Sequence, residues 1–306
     1  MQIVLFLAIA FSLFIILSFI SMSVLTAITG VSPVKLQDPK SWTSDNGQMI
    51  FYIRGLLLAQ FLGLFLIPSL LFSFLSDPKP LQYLGMRPPV RKRFWILGFA
   101  LMMVALPAAE YLGILNQKLS VSSDLQSWIR NREDEAARQI QFMLNRHTVS
   151  ELILNLIFIA GFAGIGEELF FRGILQRLFI RAFKSPWAGI IFTGLLFSAF
   201  HFQFFGFLPR MLLGVLLGAI YWYSGSIWTS ILAHFLYDAV LIVAVYFNPA
   251  MIKDSNATMM DPAQLAMTGI LSAALTIVLI LQMKKASRVS YADVYKDDPP
   301  KDLFSF

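Results

Sequence analysis

Long apolar stretches separated by short polar loops dominate the pattern of this chain. A membrane-spanning helix needs about 20 apolar residues. The sequence contains eight stretches that approach this length, at about Gln2–Ala27, Ile50–Leu75, Phe94–Leu115, Val149–Gly166, Trp187–Phe205, Phe207–Tyr223, Ile227–Phe247 and Gln264–Met283. The fourth continues into a more polar helical stretch that reaches Phe183. The pattern predicts an all-α, polytopic transmembrane helix bundle of about eight spans.

The loop before the fourth span has a helical period of its own. Apolar residues recur there every three or four positions, and Ser122 or Ser123 can cap the start of a helix. The apolar positions are Leu125, Trp128, Ile129, Ala136, Ile140, Met143 and Leu144. This pattern predicts an amphipathic helix. It can be an interfacial helix that leads into the fourth span, or a lid over a substrate entrance.

Composition supports a membrane protein and bounds the chemistry. Hydrophobic residues make up 57% of the chain and charged residues only 14%, against about 25% charged in soluble domains. Cysteine is absent, which excludes disulfides, a thiol nucleophile and a cysteine-based metal site. The first stretch has no Lys or Arg before it and no clear cleavage site, so we expect a retained span rather than a signal peptide.

Basic residues predict how the bundle is oriented. The net charge is +6, and in a membrane protein such an excess indicates cytoplasmic loops rather than nucleic-acid binding. With eight spans, three basic segments fall on one side: 79–93, 177–184 and 284–288. We therefore expect a multi-pass protein of the inner or plasma membrane with both termini in the cytoplasm.

The chain divides into three expected regions. Residues 1–148 hold three spans and the amphipathic helix, residues 149–247 hold the spans with ionisable side chains, and residues 248–306 hold the last span and a tail. After Arg288 the tail is polar, and we expect it to be disordered.

Two glutamates and an arginine mark the end of the fourth apolar stretch. Glu168 and Arg172 are four residues apart, which suits an ion pair on one helix face. Glu167 projects about 100° away and is left to face another helix, where a carboxylate in an apolar setting can act as a general base. The alternative interpretation is a charged helix end at the membrane interface.

Two histidines also lie within apolar stretches. His201 follows Phe197 by four residues near the end of the fifth stretch, and His234 and Asp238 share one helix face in the seventh. Each can be a hydrogen-bonded packing residue. Ionisable residues inside spans are nevertheless costly and usually functional.

Taken together, these residues suit amide hydrolysis, which needs an activated water and a stabilised oxyanion. Glu167 can be the base, His201 can assist the water, and His234 with Asp238 can face the oxyanion. These side chains are expected at different depths in the membrane. Glu167 is expected near the cytoplasmic end of its span, whereas His201 is expected about 14 residues from that side, and side chains at different depths could not act on one water molecule. Hydrolysis also needs water, so we expect a cavity open to the cytoplasm.

Three motifs in this order resemble those of the CAAX protease and bacteriocin-processing (CPBP) family. This family includes the Ras-converting type of CAAX prenyl endopeptidase and many bacterial intramembrane proteases. The matching positions are Glu167, Glu168 and Arg172 for EExxxR, Phe197 and His201 for FxxxH, and His234 and Asp238 for HxxxD.

The resemblance implies an intramembrane endopeptidase in which Glu167 and His201 activate water. It also implies that His234 and position 238 stabilise the oxyanion, while Glu168 and Arg172 organise the site. In the prenyl-processing branch the last motif often ends in Asn. Asp238 cannot donate a hydrogen bond when it is ionised, so it is either protonated, orients His234, or helps to hold a metal.

The same motifs lead to expectations about the cofactor, the partners and the competing functions. No HExxH motif occurs, and we expect no metal or other cofactor; the alternative is zinc held by Glu167, His201 and His234. The expected partners are the lipid bilayer and a peptide or protein substrate, with or without a lipid anchor, and not nucleic acid. Competing functions are a transporter that uses the Glu, His and Asp residues as a proton relay, and a scaffold with a buried polar network.

Two smaller features also predict packing. Gly214 and Gly218 form a GxxxG pattern that favours close approach of helices. Glu110 follows Pro107 inside the third stretch, where it either lines the cavity or pairs with Arg54.

Overall fold

The predicted all-α, polytopic bundle is confirmed. The computed structural model describes residues 1–36, 42, 46–119, 122–253, 261–291 and 294, and this part of the chain contains helices and no strands. Seven helices are long and apolar enough to cross a membrane: α1 (Gln2–Thr29), α2 (Gly47–Ser76), α3 (Phe94–Gln117), α5 (Val149–Phe183), α7 (Phe207–Ser224), α8 (Ile227–Phe247) and α9 (Pro262–Ala286). The amphipathic helix is α4 (Ser123–Leu144), and α6 (Pro186–Ala199) is a shorter apolar helix.

The fifth predicted span is shorter than the sequence suggested. Helix α6 has 14 residues, or about 21 Å, against a hydrocarbon core of about 30 Å. The chain turns directly after α6, and Phe202 adopts a left-handed conformation with φ of 53°. Hydropathy did not reveal this turn because four of the seven residues from 200 to 206 are phenylalanine.

Helix α5 continues past the fourth apolar stretch to Phe183, as the sequence predicted. It has 35 residues, and two stretches, Leu156–Gly161 and Glu168–Gln176, are wound as π-helix. Such wide turns are rare and frequent at functional sites. Glycines bring neighbouring helices close to it: a Cβ on Gly164 would lie 3.2 Å from the backbone of Phe235 in α8.

The GxxxG pattern packs helices closely, as predicted. Arg172 donates from Nη2 to the carbonyl oxygen of Gly214 at 2.9 Å, and Gln176 donates from Nε2 to that of Gly218 at 3.0 Å. A Cβ on Gly218 would lie 2.6 Å from Oε1 of Gln176. The bare backbone of α7 therefore serves as the acceptor for two buried side chains of α5.

The bundle has two distinct ends. At one, which we call the basic end, residues 77–93 pack on the turn between α7 and α8. Arg87 donates to the carbonyl oxygen of Gly225, and Ile227 donates its N–H to that of Gly85, both at 2.9 Å. At the other, the α4 end, Leu208 donates its N–H to Asn116 of α3 at 3.3 Å, and Trp128 of α4 packs on Phe204.

Polar contacts hold α4 against the bundle. Glu133 accepts a hydrogen bond from the N–H of Phe205 at 2.9 Å, and Asn155 of α5 donates to the carbonyl oxygen of Met143 at 2.9 Å. These contacts join both halves of α4 to the helices beneath it.

The expectation for Glu110 is wrong. Arg54 pairs instead with Glu151 at the start of α5 and also donates to Asn155. Glu110 is exposed and outside the central cavity. Several carboxylates compete for one buried arginine, and spacing along the chain does not decide between them. The predicted disordered tail falls largely outside the described residues.

Candidate active site

The predicted ion pair between Glu168 and Arg172 is present and completely buried. Nη1 of Arg172 lies 2.8 Å from Oε1 of Glu168, and both side chains are 0% exposed. The guanidinium also sits 4.5 Å from the ring centre of Phe197 in α6, a cation–π contact. Arg172 thus connects the first two motifs, since Phe197 begins the second.

His234 of α8 joins the same cluster through a contact that the sequence did not predict. Its Nδ1 lies 2.9 Å from Oε1 of Glu168, so the ring donates Nδ1–H to that carboxylate. Its Nε2 faces Oδ2 of Asp238 at 3.5 Å. Glu168 therefore accepts hydrogen bonds from Arg172 and His234 on one oxygen, and this holds the imidazole in a defined orientation.

Glu167 and His201 face each other next to this cluster. Oε1 of Glu167 and Nε2 of His201 are 3.9 Å apart, too far for a direct hydrogen bond. His201 uses its other nitrogen, Nδ1, to donate to the carbonyl oxygen of Phe197 at 2.8 Å. The side chain of Glu167 is 13% exposed and that of His201 30% exposed, so both are accessible where Glu168 is not.

The predicted mismatch in depth is wrong. Glu167 precedes the end of α5 at Phe183 by 16 residues, and His201 follows the start of α6 at Pro186 by 15 residues. These distances correspond to about 24 Å and 22 Å from the basic end. The error came from measuring depth from Gly166, the end of the apolar stretch, and not from Phe183, the end of the helix that the sequence also predicted.

The four predicted catalytic residues line one cavity of about 690 Å³. This volume is within the range of roughly 300–1,000 Å³ that is usual for ligand sites. The polar group of Glu167, His201, His234 and Asp238 forms one part of the wall. Most of the remaining wall is apolar, and it includes Phe158, Phe162, Met143, Ile140, Leu213 and Val245.

The cavity extends toward the α4 end and not toward the basic end. Its lining includes Met143 and Leu144 of α4, Gly206 before α7, and Val245 near the end of α8. No residue of segments 77–93 or 177–186 takes part. The cavity therefore extends away from the basic segments, and its expected opening to the cytoplasm stays a prediction.

Helix α4 covers one side of this cavity. Gln139, Ile140, Met143 and Leu144 line it, while Arg132 and Glu135 are about half exposed on the outer face. The helix leads into α5, as the interfacial interpretation predicted, and it also lies over the site, as the lid interpretation required. Its movement stays a prediction.

The sequence interpretation missed Arg210, which also lines the cavity. Its guanidinium donates to Gln203 through Nη2 at 2.6 Å and through Nη1 at 3.3 Å. No carboxylate of the described residues lies within 4 Å of it. The available signal was an arginine in the first turn of an apolar span, where charge is usually functional.

No metal site was recognised in the described part of the chain, because no three His, Asp or Glu residues there are arranged to hold an ion. His234 donates from Nδ1 to Glu168, and His201 donates from Nδ1 to a carbonyl oxygen, which leaves Nε2 of each ring as the nitrogen that could bind an ion. Metal dependence stays a prediction.

Comparison with known proteins confirms the resemblance over the region of the site. Residues 149–240 match the family model described as "Type II CAAX prenyl endopeptidase Rce1-like". This segment contains every residue of the three motifs. The protein is therefore an integral, multi-pass membrane protein with a CAAX-protease-like region formed by helices α5 to α8.

A curated relative matches over a similar length. The chain is 29% identical over 100 residues to "Uncharacterized protein YpbD" of Bacillus subtilis, and the alignment covers 31% of this chain and 48% of that protein. The chain therefore spans about half the length of this relative. No solved structure matches.

Proposed function

We propose that this protein is an intramembrane endopeptidase that hydrolyses a peptide bond near the membrane surface, with Glu167 and His201 activating the water. The supporting observation is the 3.9 Å gap between Glu167 Oε1 and His201 Nε2 inside the cavity. Because His201 donates Nδ1–H to a carbonyl oxygen, Nε2 of the neutral ring is an acceptor. Two facing acceptors suit one water molecule that donates to both.

A water held in this way directs its oxygen lone pairs away from both side chains. Glu167 takes one proton as the oxygen forms its bond to the substrate carbonyl carbon. The tetrahedral intermediate then collapses, the C–N bond breaks, and the amine leaves with the proton from Glu167. The apolar surroundings of the cavity favour this exchange because bulk water does not compete for the carboxylate.

His234 is the proposed stabiliser of the oxyanion. Its Nδ1–H is held by Glu168, so the protonated ring can donate from Nε2 to the developing charge. Asp238, 3.5 Å from the same nitrogen, then orients and balances the imidazolium. Of the three interpretations of Asp238, this distance favours orientation of His234. Glu168 and Arg172 act through His234 as positioning residues.

The substrate is proposed to be a peptide or protein segment at the membrane, processed as a CAAX-type or leader-peptide substrate. An apolar cavity wall suits a hydrophobic segment, with or without a lipid anchor. We propose that catalysis needs no metal, and that both termini face the cytoplasm as the basic loops predict.

The test is proteolysis of a peptide library by the purified protein in lipid nanodiscs, with products identified by mass spectrometry. Wild type is compared with Glu167→Gln and with Glu110→Gln, a matched change at an exposed glutamate outside the cavity. We expect cleavage by wild type and Glu110→Gln, unchanged by a chelator, and none by Glu167→Gln.

Three outcomes would contradict the proposal. Equal cleavage by Glu167→Gln would remove the assigned base. Proton-coupled flux in proteoliposomes without any cleavage would favour the transporter alternative, and partner binding without either activity would favour the scaffold.

A further inference from the structure

We propose that Arg210 binds a carboxylate of the substrate close to the bond that is cut. The carboxylate belongs either to a free C-terminus or to an Asp or Glu side chain of the peptide, and experiment can distinguish these two sources. This inference rests on the proposed function and adds to it a residue that determines which substrates are chosen.

Arg210 is the one Lys or Arg among the described residues that line the cavity. A charge in a membrane-spanning helix is costly and is usually paired or functional. No carboxylate of the described residues lies within 4 Å of this guanidinium, and Glu133 and Glu167 act on it only at longer range. Arg210 therefore has no close counter-ion in the part of the chain that the structure describes.

The guanidinium of Arg210 is held in one orientation at the cavity wall. It donates from Nη2 to Oε1 of Gln203 at 2.6 Å and from Nη1 to the carbonyl oxygen of the same residue at 3.3 Å. It lies against Gly206, where a Cβ would come within 3.0 Å of Nη2. Gly206 has a φ of −97°, which residues with side chains also adopt, so its missing side chain leaves room for the arginine.

The turn between α6 and α7 is held by contacts that do not involve this arginine. The N–H of Leu208 donates to Asn116 of α3 at 3.3 Å, and the N–H of Phe205 donates to a glutamate of α4 at 2.9 Å. Since these contacts already fix the turn, the two hydrogen bonds from Arg210 serve to orient its charge. A group that is oriented before its ligand arrives loses less entropy on binding.

Arg210 keeps enough hydrogen-bond donors for a carboxylate. A guanidinium has five N–H donors, and within the described residues the contacts to Gln203 use two of them. The remaining three suit the paired hydrogen bonds that arginine makes with a carboxylate. The anionic groups of an unmodified peptide are its C-terminus and its Asp and Glu side chains, which defines the ligand.

Arg210 is also close to the proposed water site. It lies four residues before Gly214, or about 6 Å along α7, and the carbonyl oxygen of Gly214 accepts from Arg172 in the buried cluster. Its partner Gln203 follows His201 by two residues, a separation of at most about 7 Å. An extended peptide advances about 3.3 Å per residue, so the bound carboxylate lies within about three residues of the bond that is cut.

The test is retention of peptides by the Glu167→Gln protein, which is expected to bind substrate without cleaving it, in nanodiscs of phosphatidylcholine. The probe is a library of short apolar peptides. Each sequence is present with a C-terminal carboxylate or amide, and with Glu or Gln at one internal position. Retained peptides are quantified by mass spectrometry, and the ratio of each charged form to its neutral form is compared between variants.

With Arg210 present, we expect one kind of charged peptide to be retained about 10- to 100-fold better than its neutral form, since hydrogen bonds to charged groups are of this strength. Arg210→Gln should reduce this ratio to about one. Arg210→Lys should give an intermediate ratio, because an ammonium group cannot pair with both oxygens in the same way. Arg138→Gln, at an exposed arginine of α4 outside the cavity, should leave it unchanged.

A preference that follows the C-terminal carboxylate supports the proposal and identifies the terminus as the ligand, and one that follows the internal glutamate supports it and identifies a side chain. Equal retention of all forms with Arg210 present, or retention of none, would overturn it. So would a ratio that Arg210→Gln or Arg210→Lys leaves unchanged, because the arginine would then only stabilise the turn. The first comparison needs no substitution at Arg210 and is decisive even if a variant fails to fold.

Retention does not require catalysis, so this test is separate from the peptidase assay. If charged peptides are retained through Arg210 and the wild type cleaves nothing, the proposed function fails while the binding site stands. If cleavage requires Glu167 and charge has no effect on retention, the function stands and the binding site fails.

Discussion

Replacing Glu168 by glutamine separates a positioning role from a catalytic one. The substitution keeps the shape of the side chain and an oxygen that can accept from Nδ1 of His234. It removes the negative charge that lies 2.8 Å from Arg172, where both partners are 0% exposed. A buried guanidinium is then left without a counter-ion.

The expected loss of stability follows from this burial. Removing one partner of a buried ion pair typically costs about 3–5 kcal/mol. Arg172 keeps its hydrogen bond to Gly214 and its contact with the ring of Phe197, which places the expected cost near the lower limit, at about 3 kcal/mol. At roughly 2–4 °C per kcal/mol, the apparent melting temperature should fall by roughly 6–12 °C.

The assay is thermal unfolding of the purified variants in one detergent, followed by the peptidase assay below the lowest melting temperature. Arg172→Met and the double variant serve as matched controls, because the double variant contains neither charge. We expect a coupling free energy of at least about 1.5 kcal/mol between the two sites. A Glu168→Gln protein that melts like wild type yet cleaves nothing would refute this reasoning and indicate a direct catalytic role for Glu168.

The other predictions concern the proposed chemistry and the packing beneath it. Glu167→Gln and His201→Ala should each abolish cleavage while changing the melting temperature little, since neither side chain has an ion pair within 3.5 Å in the described part of the chain; normal cleavage by either would refute its assigned role. Asp238→Asn should retain cleavage and Asp238→Leu should lose it, as measured by initial rates, because an amide can still accept from His234. Gly218→Ala should lower the melting temperature by several degrees, because the added Cβ would meet Oε1 of Gln176 at 2.6 Å; a more stable variant would contradict the packing. A strong chelator should leave the rate unchanged, and loss of activity that zinc restores would contradict the metal-free proposal.

The sequence was most informative for pairs of ionisable residues that lie four positions apart on one helix. The pair of Glu168 and Arg172, and the approach of His234 to Asp238, both follow from a four-residue separation. Seven of the eight predicted spans and the amphipathic α4 follow from the length and periodicity of the apolar stretches. In each case the interaction is local, so no knowledge of the tertiary packing was required.

Contacts between distant segments could not be obtained in this way. The bond from His234 to Glu168 joins residues 66 positions apart, and Arg54 selects Glu151, not Glu110. The end of the bundle toward which the cavity extends could not be obtained from the sequence either, because it depends on the tight packing of side chains after Glu168. Periodicity along one helix contains no information on which neighbour fills the space beside it.

The ties between α5 and α7 have a consequence for how the protein is made. Arg172 enters the bilayer paired only with Glu168 of the same helix. A single arginine at the centre of a helix costs about 2.5–3.5 kcal/mol on translocon scales, and a buried pair also needs further hydrogen-bond partners. The carbonyl oxygen of Gly214 and the imidazole of His234 are synthesised only after α5 has left the ribosome. Helix α5 should therefore stay beside the translocon until α7 and α8 arrive, so that α5 to α8 enter the lipid as one group.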